Sequence, residues 1–297
     1  MALKNLFNTL KAEGYIVKLL DQYLLAMSDT EEDRRYDTNS PSMSSTCVRA
    51  IYYSRTNARR DAGTIDARTR RIFDNGTEYH NRMQKYLSDM GMLLMMEVPV
   101  FDIPLKTQGH TDGILSLSPR ELGVLELKSI NSNGFSQLID AKEEHKYQAQ
   151  VYLHCVEMQR RLLKKLYPTQ EAFDRYLKSP KTRLKYHKLY AHLKGGKKYT
   201  RSEKLAFKVK QHLKLDTLLW MIIQPVNKMV FLYENKDTQE LKEFVVTWDD
   251  AIMTSVIEKF KYVNECVETK IVPKREGTSK SCNTCRWCPF KGKCWVV

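Results

Sequence analysis

The part of the chain that most constrains its fold is a pair of short apolar runs separated by a polar turn. The pattern covers residues 109–128 and reads GHTDGILSLSPRELGVLELK. Residues 113–117 and 124–130 are largely apolar, and the turn between them contains Ser, Pro, Arg and Glu. Such a pattern is typical of a β-hairpin with a short loop. We therefore expect a sheet that contains this antiparallel pair of strands.

Three charged residues lie on the predicted hairpin. Asp112 enters the first strand, and Glu126 and Lys128 lie two residues apart on the second. Alternate residues of a strand share a face, so Glu126 and Lys128 point the same way, with Leu125 and Leu127 on the opposite face. Two carboxylates and a lysine that meet across a hairpin can hold a hard divalent cation and manage a water beside it.

The Glu-x-Lys triplet alone is a weak signal, because the chain contains five of them. We expect most of these triplets to be solvated surface charges. The one at Glu126 differs because it lies inside an apolar strand, with an Asp one hairpin arm upstream. The other four begin at Glu144, Glu234, Glu240 and Glu268.

The chain is strongly basic, with 49 Lys and Arg against 35 Asp and Glu and a pI of about 9.3. This balance predicts an anionic partner, nucleic acid before a membrane surface. Its 297 residues can bury a core as one large domain or two smaller ones. Lys and Asp interrupt the apolar residues of the N-terminus, so we expect no signal peptide or membrane span, and a cytoplasmic location. A Gly-x4-Gly-Lys-Ser/Thr loop is missing from the sequence, which argues against an NTPase motor.

An amphipathic helix is predicted over residues 68–90. In it, Gly76, His80 and Gln84 form a stripe at four-residue spacing. A glycine inside a helix costs about 1 kcal/mol relative to alanine, so Gly76 suggests the close approach of another backbone. A histidine on such a face is more often a buried core residue than a ligand.

Periodicity predicts further elements along the chain. They are an N-terminal helix before an exposed loop at 28–39, a strand at 92–103, a helix at 136–161, strands within 215–248 and a helix at 249–268. In the helix at 136–161, Gln148 and Tyr152 are four residues apart and therefore share a face.

Four of the seven cysteines crowd into the C-terminal tail, namely Cys282, Cys285, Cys288 and Cys294. This density indicates zinc or an iron–sulfur cluster rather than disulfides. Either the four tail cysteines bind one zinc, or Cys47 replaces Cys282 and joins the two ends of the chain. Ser and Thr residues precede Cys47, as at a helix start, where helix-end amides favour a thiolate. The alternative for Cys47 is a buried free cysteine.

Taken together, these motifs resemble the PD-(D/E)xK nucleases of the RecB type. The series Asp112, Glu126-Leu-Lys128 and Gln148-x3-Tyr152, after a helix with Gly76-x3-His80, has that family's order. Cys285-x2-Cys288-x5-Cys294 with a distant Cys47 resembles the iron–sulfur clasp of the CRISPR-associated exonuclease (the fourth Cas protein) and its phage relatives. The segment Ser40-Pro-Ser-x4-Cys47-x-Arg49 is similar to the region around that family's first cysteine.

The resemblance implies a role for each matching residue. His80, Asp112, Glu126 and the Leu127 carbonyl would hold Mg²⁺ or Mn²⁺, with imidazole shifting the preference toward Mn²⁺. Lys128 would orient the attacking water or stabilise charge on the phosphate. Gln148 would position Lys128 or a phosphate, and Tyr152 would pack beneath the site or stack on a base. A [4Fe–4S] cluster would be bound by Cys47, Cys285, Cys288 and Cys294, with Cys282 as a further candidate ligand.

The resemblance also implies a fold and a domain organisation. The expected fold is α/β and restriction-endonuclease-like, with a mixed central sheet flanked by helices and a C-terminal iron–sulfur clasp. Residues 1–39 would form an N-terminal helix and exposed loop, 40–297 the nuclease domain, and 156–214 a basic helical insertion within it. The expected DNA-binding residues are basic ones at and within this insertion: Arg160, Arg161, Lys164, Lys165, Lys197, Lys198 and Arg201.

The expected activity is metal-dependent DNA exonuclease cleavage from ends or single strands, in recombination, repair or DNA processing. Two other interpretations stay open. One is a non-catalytic DNA-binding protein with a structural zinc-ribbon tail, and the other is an endonuclease of the same fold. The family also leaves room for a recombination or processing protein as partner and for a homo-oligomer.

Overall fold

The structure is a computed structural model. It describes residues 15–28, 37–61, 66–118, 121–166 and 225–296, together with 169, 171 and 175. The N-terminal residues 1–14, most of the loop expected at 28–39, and most of the basic insertion lie outside the described residues. Among the described helices, none combines the length and apolar composition that a membrane span requires.

A five-stranded mixed sheet forms the centre of the molecule, with strand order β1-β2-β3-β4-β5. All neighbouring strands are antiparallel except β3 and β4, which are parallel. The strands are β1 (Leu93–Asp102), β2 (Thr107–Ser118), β3 (Glu121–Ile130), β4 (Lys228–Asn235) and β5 (Leu241–Thr247). The predicted hairpin is confirmed as the β2–β3 pair, and the strand expected at 92–103 is β1.

Helices pack on both faces of this sheet. They are α1 (Tyr15–Ser28), α2 (Val48–Arg55), α3 (Ala67–Asp89), α4 (Ser132–Ser136), α5 (Glu143–Leu166), α6 (Asp250–Thr269) and α7 (Lys291–Cys294), with a 3-10 turn at Pro41–Met43. This arrangement confirms the expected mixed central sheet flanked by helices.

Two apolar clusters pack against the sheet, one on each of its faces. On one face, α5 and α6 cover Val124 and Phe231, and on the other, α3 covers Leu125 and Leu127. Strand residues of opposite parity therefore face different helices, as the pleat requires. Glu126 consequently shares the α5 face with Val124, while its two leucine neighbours are buried beneath α3.

Helix caps explain where the long helices begin. The Asp66 carboxylate accepts a hydrogen bond from the Thr69 backbone N–H at 2.7 Å, and the Asp249 carboxylate accepts one from Ile252 at 3.0 Å. Each satisfies an N–H that the first turn leaves unpaired. Helix α6 ends where Lys270 adopts the left-handed conformation, with φ 59°.

Three local expectations were wrong. A Cβ on Gly76 would meet no atom of the described residues within 4 Å, so no backbone in that part of the chain approaches this glycine. The helix expected at 136–161 starts only at Glu143, after the short helix α4. Asn39, expected in an exposed loop, is fully buried because its amide hydrogen-bonds to the Leu105 carbonyl and to Asn264.

Candidate active site and cysteine cavity

The β2–β3 hairpin places the two predicted carboxylates side by side. Gly113 pairs with Leu125 across the hairpin, so Asp112 and Glu126 occupy neighbouring positions. Their exposed fractions are only 8% and 5%. One oxygen of Asp112 accepts a hydrogen bond from the Leu127 backbone N–H at 2.6 Å, which fixes the carboxylate against strand β3.

Helix α5 closes the site through Gln148. The Lys128 ammonium donates to the Glu126 Oε1 at 2.7 Å and to the Gln148 Oε1 at 3.2 Å. The Gln148 amide in turn donates to the same Glu126 oxygen at 3.0 Å and to the Tyr152 hydroxyl at 3.3 Å. One helix and one strand therefore hold the side chains of Glu126, Lys128, Gln148 and Tyr152 in a single hydrogen-bonded network.

Tyr152 is buried beneath this network. Its ring lies against Gly109, where a Cβ would come within 3.2 Å of the tyrosine Cε1 and 2.8 Å of Pro41 Cγ. Burial raises the pKa of Tyr152 well above its usual value, and the Glu126 charge raises it further. Of the two roles implied for Tyr152, packing beneath the site agrees with this position and base stacking does not.

Helix α3 brings His80 to the other side of Asp112. The His80 Nδ1 lies 3.1 Å from the Asp112 Oδ1. Burial lowers the pKa of His80, but the hydrogen bond and charge of Asp112 outweigh it, so the pKa is raised overall. One turn further along α3, the Gln84 amide donates to the Asp112 backbone carbonyl and to the Glu97 carboxylate.

Electrostatic strain concentrates on Glu126. Burial raises the pKa of Glu126 to about 7, the Lys128 charge opposes this, and the Asp112 charge adds to it. Its Oε1 accepts two hydrogen bonds, whereas its Oε2 is buried without a hydrogen-bond partner. A buried carboxylate oxygen with no partner among the described residues is costly, so a positively charged or donating group at Oε2 would stabilise the site.

The donor set suits a small hard cation. Carboxylates with one imidazole favour Mn²⁺ or Mg²⁺ over softer metals, and the Glu126 Oε2 supplies an oxygen to which no group in the described part of the chain hydrogen-bonds. Within the described residues, no three His, Cys, Asp or Glu side chains converge as a formed metal site. The group that lies against Glu126 is the Lys128 ammonium, and among the described residues no third metal-binding side chain joins the two carboxylates there.

Comparison with known proteins finds similar solved structures. The crystal structure of an alkaline exonuclease from Laribacter hongkongensis is 12% identical, with a TM-score of 0.44, and the match covers 80% of this chain and 91% of that one. A structure of that exonuclease in complex with dAMP matches at 13% identity, with the same TM-score and coverage. The crystal structure of SSO0001 is 13% identical, with a TM-score of 0.45, over 96% of this chain and 98% of that one.

No protein-family model and no curated protein matches the chain. Similarity at 12–13% identity assigns no role to any residue of this protein. The roles proposed below therefore depend on the geometry of its own side chains.

A cavity in the C-terminal region collects four cysteines. Cys47, Cys285, Cys288 and Cys294 all line it, and the Cys282 sulfur lies beside the lining, where a Cβ on Gly277 would come within 3.2 Å of it. The described cysteines form no disulfide. A Cβ on Gly277 would lie 2.2 Å from the Cys285 sulfur, so only glycine allows the backbone to pass so close to this thiol. Four free thiols around one cavity match the ligand number of a tetrathiolate site.

Hydrogen bonds tie this cavity to the first helix after the N-terminal loop. Cys47 itself is the N-cap of α2, so it lies at a helix start as expected, but the Ser and Thr before it are not the capping residues. Two residues later, the Arg49 guanidinium donates to the Pro273 carbonyl at 2.6 Å and lies 3.7 Å from the Cys294 sulfur. The Val48 backbone N–H donates to Glu276 at 2.7 Å. The start of α2 and the C-terminal tail therefore form one packed unit.

The surroundings of Cys47 do not favour the thiolate that was expected from helix-end amides. Burial raises the pKa of Cys47 more than the Ala50 backbone hydrogen bond lowers it. Cys282 behaves in the opposite way, because backbone hydrogen bonds, that of Ser279 first, lower its pKa to about 7.

The expected DNA-binding residues fall into three groups. Arg160 and Arg161 lie on α5, where both guanidiniums pair with Glu157. Lys165 is exposed on the same helix, which also includes Lys164. Residues 197, 198 and 201 lie outside the described residues.

The sequence did not single out two polar residues that lie beside the site. Glu97 adopts a left-handed backbone conformation, with φ 48°, and receives the Gln84 amide. His145 lies one helical turn before Gln148 and contacts Tyr233. The turn-spaced pattern His145-x2-Gln148-x3-Tyr152 was the available signal for His145, since the three share a helix face.

Proposed function

We propose that this protein is a divalent-metal-dependent DNA nuclease that hydrolyses phosphodiester bonds as an exonuclease, from ends or single strands. The observation that carries the proposal is the buried cluster of Asp112, Glu126 and Lys128, in which no group of the described residues hydrogen-bonds to the Glu126 Oε2. Buried acids that repel each other are costly to fold, and such clusters concentrate at functional sites. The excess positive charge of the chain favours nucleic acid as substrate.

The side chains that would hold the cation are Asp112, Glu126 and His80, with the Leu127 carbonyl. When bound, a divalent cation would lower the pKa of a coordinated water and neutralise charge on the phosphate. Asp112 is suited to this role because its second oxygen is anchored by the Leu127 N–H. Glu126 presents its unpaired Oε2, since Lys128 and Gln148 occupy Oε1.

Lys128 is placed to act on the substrate. An ammonium has three protons, and Glu126 and Gln148 accept two of those of Lys128. The third is free to donate to the attacking water or to a phosphate oxygen. Gln148 acts as a positioning residue, because its amide bridges Lys128, Glu126 and the buried Tyr152.

The test is cleavage of end-labelled DNA in Mg²⁺, Mn²⁺ and EDTA. The wild type should cleave only with metal, and Glu126→Ala or Lys128→Ala should reduce the rate by at least about 10²–10³-fold. Their double variant should be little slower than either single variant, because the residues act as a unit. DNA binding should survive in all three, since at most one of the 49 Lys and Arg residues is removed.

The matched control is the Glu-Leu-Lys triplet at Glu240. Glu240 is exposed and hydrogen-bonds only to Thr238 among the side-chain contacts of the described residues, so Glu240→Ala should cleave like the wild type. Binding without metal-dependent cleavage would overturn the proposal in favour of a DNA-binding protein. Cleavage of circular single-stranded DNA would replace the exonuclease with an endonuclease, because such a substrate has no ends.

We also propose that Cys47, Cys285, Cys288 and Cys294 bind one [4Fe–4S] cluster. Support comes from the cavity that these four cysteines line. When bound, a cluster would cross-link residues that are distant in the sequence and so restrict the unfolded chain. Its main role would be to hold the start of α2 against the C-terminal tail.

Anaerobic purification tests the cluster. The wild type should be brown, with about four iron atoms per chain. Cys47→Ser should lose both colour and thermal stability, whereas Cys282→Ser should keep both. A colourless protein with one zinc that survives Cys47→Ser but not Cys282→Ser would assign the metal to the tail alone.

A further inference from the structure

A histidine that the proposed mechanism does not use borders the site. His145 lies in the first turn of α5, three residues before Gln148. Its ring stacks on Phe231 and Tyr233, with centroid distances of 5.8 and 5.6 Å. In the parallel β3–β4 pair, Phe231 is the register partner of Glu126, and Tyr233 is that of Lys128. His145 therefore covers the strand positions next to the two catalytic side chains.

The hydrogen bonds around Tyr233 determine where the imidazole carries its proton. The fully buried Tyr233 hydroxyl accepts the Lys142 backbone N–H at 3.3 Å and lies 2.6 Å from the His145 Nδ1. If His145 also donated to it, the tyrosine proton would have no acceptor among the described residues. A buried unpaired hydroxyl is costly, so Tyr233 donates to Nδ1. A neutral imidazole then carries its proton on Nε2.

Local charges keep this imidazole neutral. Burial lowers the pKa of His145 to about 3, and the positive charges of Lys128 and Lys142 act in the same direction. Lys128 is the register partner of Tyr233, on which the His145 ring stacks, so the two side chains belong to adjoining positions of the site. The ring is partly exposed, and the described residues provide a hydrogen bond to Nδ1 alone. Nε2–H points away from Tyr233, as the geometry of the ring requires.

We propose that His145 binds the DNA directly: its Nε2–H donates to an oxygen of the phosphate that Lys128 contacts, or of the phosphate next to it. This inference rests on the proposed function, and it adds a substrate-binding group to that site. A neutral donor suits the position, because it can approach a phosphate beside Lys128 without bringing a second like charge into a half-buried pocket. Tyr233 is the positioning residue that fixes the tautomer and the ring orientation.

Two substitutions of His145 distinguish a contact with DNA from a structural role beside Tyr233. In His145→Gln, the side-chain amide reaches the position of Nε2 but no longer contacts Tyr233. In His145→Asn, the shorter amide keeps the contact near Nδ1 and has no group at Nε2. We expect His145→Asn to raise KM for DNA cleavage about tenfold, the value of one hydrogen bond to a charged group. His145→Gln should raise it by clearly less.

Three further measurements and one control variant accompany the kinetic comparison. Thermal melting of each variant reports folding, and anisotropy with a fluorescent single-stranded oligonucleotide in EDTA reports binding without catalysis. The KM ratio of His145→Asn to wild type should stay constant between about pH 6 and pH 9, because the histidine is neutral throughout. A control is His154→Asn on the same helix, where the imidazole contacts Asp102 at 2.8 Å; it should lower the melting temperature and leave oligonucleotide affinity unchanged.

The outcomes are separable from those of the proposed function. Weaker oligonucleotide binding by His145→Asn than by His145→Gln supports the phosphate contact, even if the wild type fails to cleave DNA. The reverse order, or equal affinities, overturns it and assigns His145 to support of Tyr233, even if the wild type is an active nuclease. A KM ratio that grows as the pH falls through about 6 would mean a charged imidazole and would also overturn the proposal.

Discussion

Glu126 combines features that favour the binding of a cation with features that lower the stability of the fold. Of the carboxylates in the described part of the chain, only that of Glu126 has a buried oxygen without a hydrogen-bond partner. It is buried beside the second acid, Asp112, and Lys128 compensates only one of its oxygens. Because a bound cation would remove this strain, the metal-free protein should be strained at one identifiable residue.

We therefore expect Glu126→Gln to be more stable than the wild type in EDTA at about pH 8, above the raised pKa of Glu126. The neutral amide fits the same space and removes the buried charge. The gain should appear as about 2–4 °C in melting temperature per kcal/mol of relieved strain. Mn²⁺ should raise the melting temperature of the wild type, by linkage, and should have little effect on Glu126→Gln. The exposed Glu240→Gln should match the wild type in both conditions.

The effect of Glu126→Gln on stability should depend on pH. The pKa of Glu126 is raised from 4.5 to about 7 in the folded protein, so the favourable contribution of its protonated form is present below pH 4.5 and is lost as the pH rises through about 7. The stability difference between Glu126→Gln and the wild type, measured in EDTA, should therefore grow between about pH 5 and pH 8. A difference that shrinks over this range would show that Glu126 stabilises the fold as a carboxylate.

At the scale of elements, the regular patterns were predictable from sequence. The hairpin, the helix α3 and the helix α6 were predicted within a few residues, because each buries a stripe at a period of about 2 or 3.6 residues. The late start of α5, at Glu143 and not at Ser136, was harder to predict. Residues 137–142 contain Gln, Asp, Lys and buried apolar residues, and no breaker separates them from the true helix. Tertiary contacts of Leu138 and Ala141 with the core hold that segment in an irregular conformation.

The candidate site residues that belong to a spaced sequence motif were predictable from the sequence. Asp112, Glu126, Lys128, Gln148 and Tyr152 follow from local spacing, and the structure brings them together. His145 did not stand out, because its role depends on Tyr233, which is 88 positions away in the sequence. The open space beside Gly76 and the raised pKa of Cys47 were unpredictable for the same reason: both depend on what packs against the residue.

At the scale of the molecule, the segment before α2 meets helix α6, which leads into the C-terminal tail. Asn39 and Asn264 both accept from the buried Arg55 guanidinium, at 2.8 and 2.7 Å, and Asn264 also donates to the Leu105 carbonyl. This network joins the segment before α2, helix α6 and the β1–β2 connection. The cysteine cavity lies on the same α2–tail unit, so a cluster there would reinforce a contact that the protein already makes.

The basic excess of the chain is confined to one segment. Residues 156–214 hold 18 of the 49 Lys and Arg but only 4 of the 35 Asp and Glu. Helix α5 extends to Leu166, and Val156 is fully buried in the core, so the first part of this segment belongs to the folded core. Residues 167–214 still carry 14 basic and 3 acidic residues, interleaved with Tyr and Phe. Cations beside aromatic rings suit single-stranded DNA, where phosphates meet Lys and Arg and bases stack.

We expect that exchanging residues 167–214 for a Gly/Ser segment of equal length will weaken binding to single-stranded DNA and leave the melting temperature of the core and the iron content unchanged. The slope of log K against log salt should flatten by about 0.7 for each phosphate that no longer binds a basic side chain. A second variant that keeps every aromatic residue and changes the lysines at 178, 181, 185, 188, 194 and 197 to glutamine should flatten the slope while retaining part of the affinity, because stacking survives. If both variants keep the wild-type slope, the segment does not contact DNA and its charge serves a protein partner instead.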